Sequence, residues 1–408
     1  MKALNGSGPL SHVTVLDMTQ FLAGPYGSQI LGDLGARVIK IETPDGDITR
    51  NTPPHFHQGE SAYFLSVNRN KESLVLNLKE ARGREIFLEL AKKADVVLEN
   101  YRPGVVKRLG IDYAALRNVN PRIVMCSISG FGQDGPYRDR PAYDIIIQAI
   151  SGGMSLTGEE GGKPVRAGIP LGDLSAGMFG AISVLAGLAK VNATGEGSYY
   201  DVSMMDCQIS MLTYQAAYYL ISGEVPGLQG RGHRSLTTYR AYLCGDGIEI
   251  VVAANSEKMW ESLCTVVGLP DLPKDPRFCN RVDRLKNRAD LDALLEAAFA
   301  GLSSDVVLEE LRKFQVPAAP INSLDRVFND PQTKHREMAI HLDDGAGGSI
   351  QVVGNPIKSE ACPPIARFPS HLGADSAAVL QDLLGLSVEQ TRDLADSGII
   401  GAVAALRG

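Results

Sequence analysis

The chain has 408 residues, of which 44% are hydrophobic and 21% charged, and its formal net charge at pH 7 is −7. The length predicts two domains, the composition is typical of a soluble globular protein, and the acidic balance argues against a general nucleic-acid binder. The N-terminus has no apolar stretch and no window approaches roughly 18 uninterrupted apolar residues, which predicts neither a signal peptide nor a membrane span. The six cysteines form no CxxC pair, which predicts reduced thiols in a cytoplasmic protein.

Short apolar strands alternate with helices along the first half of the chain. A strand over 13–17, a Gly/Pro turn over 23–27, a helix over 28–35 and a strand over 36–42 predict a parallel βαβ unit. The same alternation continues through the segments 73–78, 79–94, 95–100, 103–110 and 122–129. The fold class is therefore α/β, with a doubly wound, Rossmann-like large domain.

The pattern changes after a long Gly/Ala-rich apolar helix predicted over 174–191, whose small residues suggest tight helix packing. A Met/Tyr-rich helix follows over 203–222, and the later elements are a hairpin and two helices, over 238–244, 248–254, 256–267 and 287–300. We expect three segments: 1–205 as the first part of the large domain, 206–330 as a smaller α+β domain, and 331–408, with a strand over 348–354, as the return to the large domain.

The sequence of the first βα turn shows whether a dinucleotide-binding pattern is present. Residues 20–32 lack the G-x-G-x-x-G pattern, and Pro25 and Tyr26 stand where the backbone would have to approach a pyrophosphate. Glu42 ends the second strand, where a ribose-binding acid would lie, but one carboxylate without the glycines is a weak signal. The turn therefore argues against a redox cofactor.

Several segments, taken together and in order, resemble the family III CoA transferases, the group that contains formyl-CoA transferase and the carnitine CoA transferases. They are 16–44, 68–79, 94–111, 127–137, 141–153, 168–181, 195–206, 275–295 and 354–360. The resemblance implies a Rossmann-like large domain built from both chain ends plus a smaller domain, with two subunits interlocked as a homodimer. It also implies that acyl-CoA and a small carboxylic acid are substrates and that no cofactor is bound permanently.

By its place in the segment GIPLGDLSAGMFGA, Asp173 matches the catalytic aspartate of this family. A carboxylate at this position would attack an acyl-CoA thioester and end as an aspartyl-CoA thioester, which divides one difficult exchange into easier steps. Gly172 leaves room beside it, and its amide is a candidate donor to developing negative charge. Local sequence alone favours a plainer interpretation, in which Asp173 caps a helix, and the helix N-terminus would keep it ionised.

The same fold also hosts α-methylacyl-CoA racemases, which the resemblance implies would carry a His before the Asp of the motif that matches PAYD. Here that position is Tyr143, and an ordinary tyrosine titrates near ~10, which makes it a poor base at neutral pH. Asp144 matches the acid that supports the nucleophile in the transferases, although it could instead cap the helix that follows. A non-catalytic CoA-binding homologue is a further alternative, which retention of both aspartates argues against.

The resemblance also assigns the residues that contact CoA. They are Phe21, Leu22, Ala23, Lys71, Asn100, Tyr101, Arg108 and Leu109. One departure is that Thr43-Pro44 replaces an arginine found in formyl-CoA transferase, so the phosphate contact would come from Arg69, Arg102 or Arg50.

For the substrate, the sequence offers a cationic loop that contains Arg231, His233 and Arg234. Because arginine pairs well with carboxylates, we expect this loop, with Tyr143, to bind the free carboxylate of a dicarboxylate. Succinyl-CoA would be the donor and itaconate, mesaconate, citramalate or glutarate the acceptor. The alternative is a basic loop that pairs with acids of the partner subunit.

Overall fold

The computed structural model describes residues 8–361 and 366–401, so the predicted reduced thiol Cys362 lies outside the described residues. The chain forms two compact units. The first unit comprises Met1–Gly153, Arg166–Ser222 and Gln332–Gly408, and the second comprises Met154–Val165 and Gly223–Pro331.

The strands, in chain order, are β1 Thr14–Asp17, β2 Arg37–Glu42, β3 Phe56–His57, β4 Glu60–Ser61, β5 Lys71–Val75, β6 Val96–Glu99, β7 Val124–Ser129, β8 Ser198–Ser203, β9 Gly232–His233, β10 Leu236–Leu243, β11 Glu249–Ala253, β12 Ala318–Pro320, β13 Ala339–Asp343 and β14 Ser349–Val353.

The α-helices are α1 Ala23–Asp33, α2 Ala62–Val67, α3 Ala81–Ala91, α4 Val105–Leu109, α5 Tyr113–Val119, α6 Asp144–Ile150, α7 Gly153–Leu156, α8 Leu171–Thr194, α9 Met204–Met211, α10 Tyr214–Ser222, α11 Glu257–Val266, α12 Arg281–Lys286, α13 Arg288–Ala300, α14 Ser304–Lys313, α15 Leu324–Asn329, α16 Pro331–His335, α17 Ser376–Leu384 and α18 Val388–Asp396.

The main sheet of the first unit has the strand order β5-β2-β1-β6-β7-β8, and every neighbouring pair is parallel. With the short β3–β4 hairpin set aside, this is the doubly wound order 3-2-1-4-5-6, which reverses direction between β1 and β6. Ligands of such sheets bind at the carboxyl ends of the strands beside that reversal. The predicted α/β class is confirmed, and the topology places a binding site after β1 and β6.

Both faces of this sheet are covered, which explains its continuous apolar strands. One face packs against α1 and α8, with Val15, Val38 and Val124 in the core. The other face packs against α3 and against α17 from the end of the chain, where Phe87 and Leu380 are fully buried. The first unit is thus built from both ends of the chain.

Helix α8 makes a close backbone contact with α1. A Cβ atom on Gly27 would lie 2.7 Å from the carbonyl oxygen of Gly177, so neither helix has room for a side chain there. The predicted tight packing is confirmed. By length and composition α8 would also pass for a membrane span, a property shared by many core helices, and it contacts β7 and β8. The expected absence of a membrane span stays a prediction.

Three predicted boundaries differ from the structure. The Gly/Pro turn over 23–27 is the first turn of α1, because proline is tolerated there. The predicted helix over 203–222 is two helices, broken at Thr213, whose φ is +46°. Because α9 packs against α8, the first unit continues to Ser222 instead of ending at 205.

The second unit contains an antiparallel sheet of order β12-β11-β10-β9. The predicted hairpin is present, and Tyr242 pairs with Ile250 across it. Helices α11, α13 and α14 cover this sheet, and the core includes Trp260 and Phe299. This arrangement agrees with the α+β character expected from the sequence.

Candidate active site

Asp173 lies in the first turn of α8, where its carboxylate is half-buried. The helix begins at Leu171 after Pro170, whose side chain has no hydrogen-bond acceptor. Asp173 is therefore inside the helix and does not cap it, so the capping interpretation is wrong. Within the described part of the chain, its carboxylate accepts no hydrogen bond, which leaves both oxygens available to a substrate.

Asp144 provides the cap for α8 from a neighbouring helix. Its Oδ1 accepts hydrogen bonds from the backbone N–H of Gly172, at 2.8 Å, and of Asp173, at 3.4 Å. These N–H groups belong to the first turn of α8 and have no acceptor within the helix. Asp144 therefore fixes the start of α8, and the predicted role of the Gly172 amide as a donor to developing charge does not fit, because this N–H is already bonded.

Gly172 is required by the close approach of α6 to α8. A Cβ atom at this position would lie 3.1 Å from Cγ2 of Ile147 and 3.2 Å from Oδ1 of Asp144. Both distances are tighter than ordinary packing, so a larger residue would push Asp144 away from the N–H groups that it accepts from. The space beside Asp173 that the sequence predicted at Gly172 is thus occupied by Ile147 and Asp144 of α6.

The two aspartates make an acidic pair. Burial, and then the negative charge of Asp144, raise the pKa of Asp173 to about 7. Removing a carboxylate from water disfavours its charged form, and a like charge nearby adds to that effect. These two effects act against the ionisation of Asp173 that the sequence predicted from the helix N-terminus, and that effect of the helix stays a prediction.

Gln148 joins this pair to the chain that precedes α8. It lies one turn after Asp144 on α6, is 2% exposed, and donates from Nε2 to Oδ2 of Asp144 at 2.7 Å. Its Oε1 accepts from the N–H of Ala167 at 2.9 Å. Sequence reasoning missed Gln148, although its spacing of four residues from Asp144 on a helix was the available signal.

A cavity of about 1220 Å³ opens in front of Asp173, and every residue that lines it belongs to the first unit. Most of its wall is apolar, and its polar and ionisable side chains include Tyr63, Tyr143, Asp144, Arg166 and Asp173, beside the Arg69–Asp33 pair. Burial, and then the charge of Asp173, raise the pKa of Tyr63 to about 12, so this phenol stays a hydrogen-bond donor at neutral pH. Tyr63 and Arg166 were not predicted, because nothing in their local sequence distinguishes them.

The turn after β1 forms one side of this region. Phe21 has a φ of +64° and its ring meets the ring of Tyr143 edge-on, with 5.8 Å between centroids. Leu22 lines the cavity. The side chain of Ala23 packs in the core against the sheet instead, and the contact of Ala23 with CoA stays a prediction. Tyr143 is 64% exposed and lines the cavity, as expected of a substrate contact.

Asn100 clamps the point where the sheet reverses direction. Its Oδ1 accepts from the N–H of Gln20 at 2.8 Å, and its Nδ2 donates to the carbonyl of Gln20 at 2.7 Å. The loops after β1 and β6 are thus joined by a two-bond amide pair. The Asn100 side chain therefore positions the turn, and its contact with CoA stays a prediction.

Lys71 does not reach the surface. It is 5% exposed, and its Nζ lies 3.1 Å from Oδ2 of Asp17 and donates to Oδ1 of Asn68 and the carbonyl of Pro25. Burial lowers the pKa of Lys71 to about 8, with Asp17 opposing that effect. Lys71 is thus a buried counter-ion of Asp17, and its contact with CoA stays a prediction.

Two of the three arginines considered for the phosphate are also committed elsewhere. Arg50 pairs with Glu42 at 2.7 Å and with Glu60 at 2.8 Å. Arg69 donates from Nε to Oδ1 of Asp33 at 2.8 Å. Both side chains are buried in these pairs. Arg102 is exposed, so it alone of the three is available.

A second pair of cations lies beside the loop after β6. The guanidinium groups of Arg108 and Arg138 both approach Gly104, to within 3.4 Å and 3.1 Å of the position that a Cβ would take there. Arg108 was predicted, and Arg138 was not, because its match lies just beyond the segment 127–137. Leu109 and Tyr101 pack against the hydrophobic core, so they anchor this loop to the first unit.

The cationic loop of the second unit is engaged in its own ion pairs. Arg231 pairs with Glu249, and Arg234 pairs with Glu224. The ring of His233 meets that of Tyr239 at a centroid distance of 5.9 Å. These acids belong to the same chain, whereas the sequence suggested acids of a partner. The substrate role of this loop stays a prediction.

Comparison with known proteins decides the family. The family model described as CoA-transferase family III matches residues 10–376, which is most of the chain.

The chain belongs to CoA-transferase family III.

Members of this family lie close to it in sequence. Succinyl-CoA:glutarate CoA-transferase of Mus musculus is 38% identical, over 96% of this chain and 90% of that protein. Acetyl-CoA:oxalate CoA-transferase of Acetobacter aceti is 40% identical, over 86% of this chain and 89% of that protein. A solved CAIB/BAIF family protein from Brucella suis has a TM-score of 0.81 and 36% identity, over 93% of this chain and all of that one.

The resemblance found in the sequence is therefore confirmed, and the protein is a CoA transferase. Enzymes of this class use CoA thioesters as substrates. The candidate site in this structure is the acidic pair of Asp173 and Asp144, which lies beside the large cavity.

Proposed function

We propose that this protein moves CoA from succinyl-CoA to a small dicarboxylic acid through a covalent thioester on Asp173. The observation that carries the proposal is the state of that carboxylate: it is half-buried, accepts no hydrogen bond within the described residues, and faces a cavity of about 1220 Å³. A structural aspartate at a helix start normally uses its oxygens on backbone N–H groups. Here Asp144 has that task, which leaves Asp173 for chemistry.

In the first half-reaction, one oxygen of ionised Asp173 attacks the thioester carbonyl carbon. The C–S bond breaks, the electron pair stays on sulfur as the CoA thiolate, and a mixed anhydride of Asp173 and succinate forms. The thiolate then attacks the aspartyl carbonyl, succinate leaves as a carboxylate, and Asp173 carries CoA as a thioester. The second half-reaction is the same sequence in reverse with the incoming acid, so no external base, water or oxidant is consumed.

The environment of Asp173 suits a nucleophile. Burial and the charge of Asp144 raise its pKa to about 7, so the ionised form is more basic than that of an ordinary aspartate. About half of the molecules are ionised at pH 7, and that fraction attacks more readily because it is poorly solvated. When Asp173 is acylated, its negative charge is lost. The cost of burying that charge and its repulsion by Asp144 are then relieved, which favours the covalent intermediate.

The CoA arm is assigned to the loops that meet at the reversal of the sheet. The thioester would lie at Asp173, and the arm would pass Leu22 and Phe21 towards the loop after β6. There Arg108 and Arg138 flank Gly104, and two guanidinium groups provide the paired donors that phosphates prefer. Arg102, exposed on the same loop, completes the candidate phosphate site in place of the family arginine that Thr43 replaces.

The choice of a dicarboxylate is supported by the relatives. The two proteins named above act, by their descriptions, on glutarate and on oxalate, and both acids carry two carboxylates. Glutarate, itaconate, mesaconate and citramalate are the acceptors to test first, with succinyl-CoA as the donor.

The test mixes the purified protein with succinyl-CoA and a panel of free acids and follows new CoA esters by liquid chromatography and mass spectrometry. Wild-type protein is expected to form at least one new ester, and Asp173→Ala none. A covalent adduct of CoA on a peptide that contains Asp173, trapped before acceptor is added, is the second readout. Esters formed equally well by Asp173→Ala would contradict the mechanism, and α-proton exchange on an α-methylacyl-CoA without any transfer would favour a racemase.

The family resemblance extends the proposal to an interlocked homodimer. Large apolar side chains are exposed on the first unit, among them Ile182 of α8 and Leu220 and Ile221 of α10. Exposed apolar patches of this kind mark interfaces. Light scattering after size-exclusion chromatography should give twice the 43.7 kDa mass of the chain, and a monomer at micromolar concentration would refute this part of the proposal.

A further inference from the structure

The charges in the wall of the Asp173 cavity are unevenly paired. Arg69 is neutralised by Asp33, to which it donates from Nε at 2.8 Å, and also donates to the carbonyl of Val353 at 2.7 Å. Arg166 lines the same cavity and is exposed. Among the described residues no carboxylate lies within 4.0 Å of its guanidinium, and its contact is with the carbonyl of its own neighbour Ala167 at 3.4 Å. Arg166 is thus the cation of this wall that lacks an acidic partner.

The backbone that carries Arg166 is held in place. The next residue, Ala167, donates its N–H to Oε1 of Gln148 at 2.9 Å, and Nε2 of Gln148 donates to Oδ2 of Asp144 at 2.7 Å. The other oxygen of Asp144 accepts from the first turn of α8, which carries Asp173. Gln148 and Asp144 therefore connect the backbone beside Arg166 to the first turn of α8, so the positions of Arg166 and Asp173 are fixed relative to each other.

The rest of the cavity wall offers few charged groups to a substrate. Its wall is mostly apolar, with Ile30, Met178 and Ile182 among the lining side chains. A second carboxylate brought into such a cavity loses water, and that loss is offset only where a charged donor replaces it. The acyl group of the donor and the incoming acid occupy the same place in turn, so one arginine would serve both half-reactions.

We infer that Arg166 binds the distal carboxylate of the dicarboxylic substrate and selects dicarboxylates over monocarboxylates of the same length. The inference rests on the proposed function, and it places this task on Arg166 instead of on the Arg231–Arg234 loop. Gln148 acts as a positioning residue for this contact, since it holds the backbone of the adjoining residue.

The test compares succinyl-CoA with butyryl-CoA, which has the same chain length and lacks the distal carboxylate. For each donor, kcat/KM is measured for transfer of CoA to a saturating acceptor. Arg166→Gln is expected to lower kcat/KM for succinyl-CoA by roughly tenfold to a hundredfold, the range for loss of one charge-assisted hydrogen-bonded pair. The value for butyryl-CoA should stay within about twofold. Arg166→Lys keeps the charge without the planar fork and should recover part of the loss.

The matched control is Arg82→Gln, which removes an exposed arginine of the first unit that, within the described part of the chain, pairs with Glu85 alone. This variant should change kcat/KM for neither donor. If wild type uses butyryl-CoA too slowly to measure, the KM for glutarate as acceptor is the readout, and Arg166→Gln should raise it by the same factor. An unchanged KM overturns the inference.

The outcomes separate the inference from the proposed function. Wild-type protein that transfers CoA from neither donor to any acid would overturn the proposed function. Active wild type with Arg166→Gln equally weakened on both donors would leave the transferase intact and overturn the role of Arg166. A selective loss on succinyl-CoA in Arg234→Gln, with Arg166→Gln unaffected, would assign the carboxylate to the loop of the second unit.

Discussion

Two carboxylates of the first unit, Asp17 and Asp173, show opposite electrostatic behaviour. Asp17 ends β1 and is fully buried, yet its pKa is lowered, because Lys71 and Lys40 outweigh the raising effect of burial. Its oxygens also accept from Ser28 at 2.6 Å and lie 3.1 Å from Nζ of Lys71. Asp173 is less buried, and its pKa is raised to about 7, because its charged neighbour is another aspartate.

The difference teaches that burial alone does not set the state of a carboxylate here. Burial opposes ionisation at both positions, and the sign of the nearest charge decides the result. Asp17, which is paired with Lys71, stabilises the turn after β1 together with the hydrogen bonds that Ser28 and Lys71 make there. Asp173 has no cation partner among the described residues, so the cost of burying its charge is not offset.

The largest expected effect comes from breaking the paired side. Lys71→Met would leave Asp17 buried beside an apolar group, and removal of one partner of a buried pair costs about 3–5 kcal/mol. Urea denaturation at pH 7 should show this loss in the free energy of unfolding. Lys92→Met, which removes a half-exposed lysine from a surface pair with Glu89, should change stability by less than about 0.5 kcal/mol. Equal effects of the two variants would show that the Asp17 pair is not a special source of stability.

An intermediate effect of opposite sign is expected at Asp173, the proposed nucleophile. The pKa of Asp173 is raised from the model-peptide value of 3.8 to about 7 on folding, so the native state binds more protons than the unfolded state between these values. Stability therefore falls as pH rises from about 4 to 7, and the full penalty is present above pH 7. Asp173→Asn removes it and should stabilise the protein by about 1–2 kcal/mol at pH 8, a value discounted for solvent screening.

The same variant should gain less at pH 5, where most of the wild-type carboxyl is still protonated. Thermal unfolding of both proteins at the two pH values gives the comparison. A gain that is larger at pH 5 than at pH 8 would contradict the raised pKa, whereas equal gains would point to packing instead of charge.

The smallest effect concerns the pH dependence of the reaction. With a pKa of about 7 for Asp173, only about one tenth of the nucleophile is ionised at pH 6, so kcat/KM for succinyl-CoA should rise towards a plateau above pH 7. Asp144→Asn removes the like charge and keeps an acceptor for the N–H of Gly172. The rising part of the profile of kcat/KM against pH should then move to lower pH. This shift is expected even if a less ordered α8 lowers kcat. Tyr143→Phe changes no charge near pH 7 and should leave the midpoint of the rising part in place.

The fold was largely predictable because it depends on local patterns. The alternation of short apolar strands and helices predicted the parallel sheet, and the glycines of 174–191 predicted the close packing of α8. Position within a matched segment then led to Asp173 and Asp144, and the cavity brings both together.

The errors have a common physical cause, which is contact between residues far apart in sequence. A lysine is normally a surface residue, so nothing near Lys71 indicated that Asp17 would hold it inside the protein. The bonded state of the Gly172 N–H depends on Asp144 from another helix. The boundary at 205 was placed where composition changes, whereas α9 packs on α8 and the first unit continues to Ser222.

The position of α17 has a consequence for biosynthesis. The strands of the parallel sheet are complete at Ser203, but α17, which covers β5 and the region of Phe87, begins only at Ser376. Because a ribosome makes the chain from its amino end, the main segment of the second unit is synthesised while this face is covered by α3 without α17. The last helices of the chain therefore complete the covering of the first unit only near the end of synthesis.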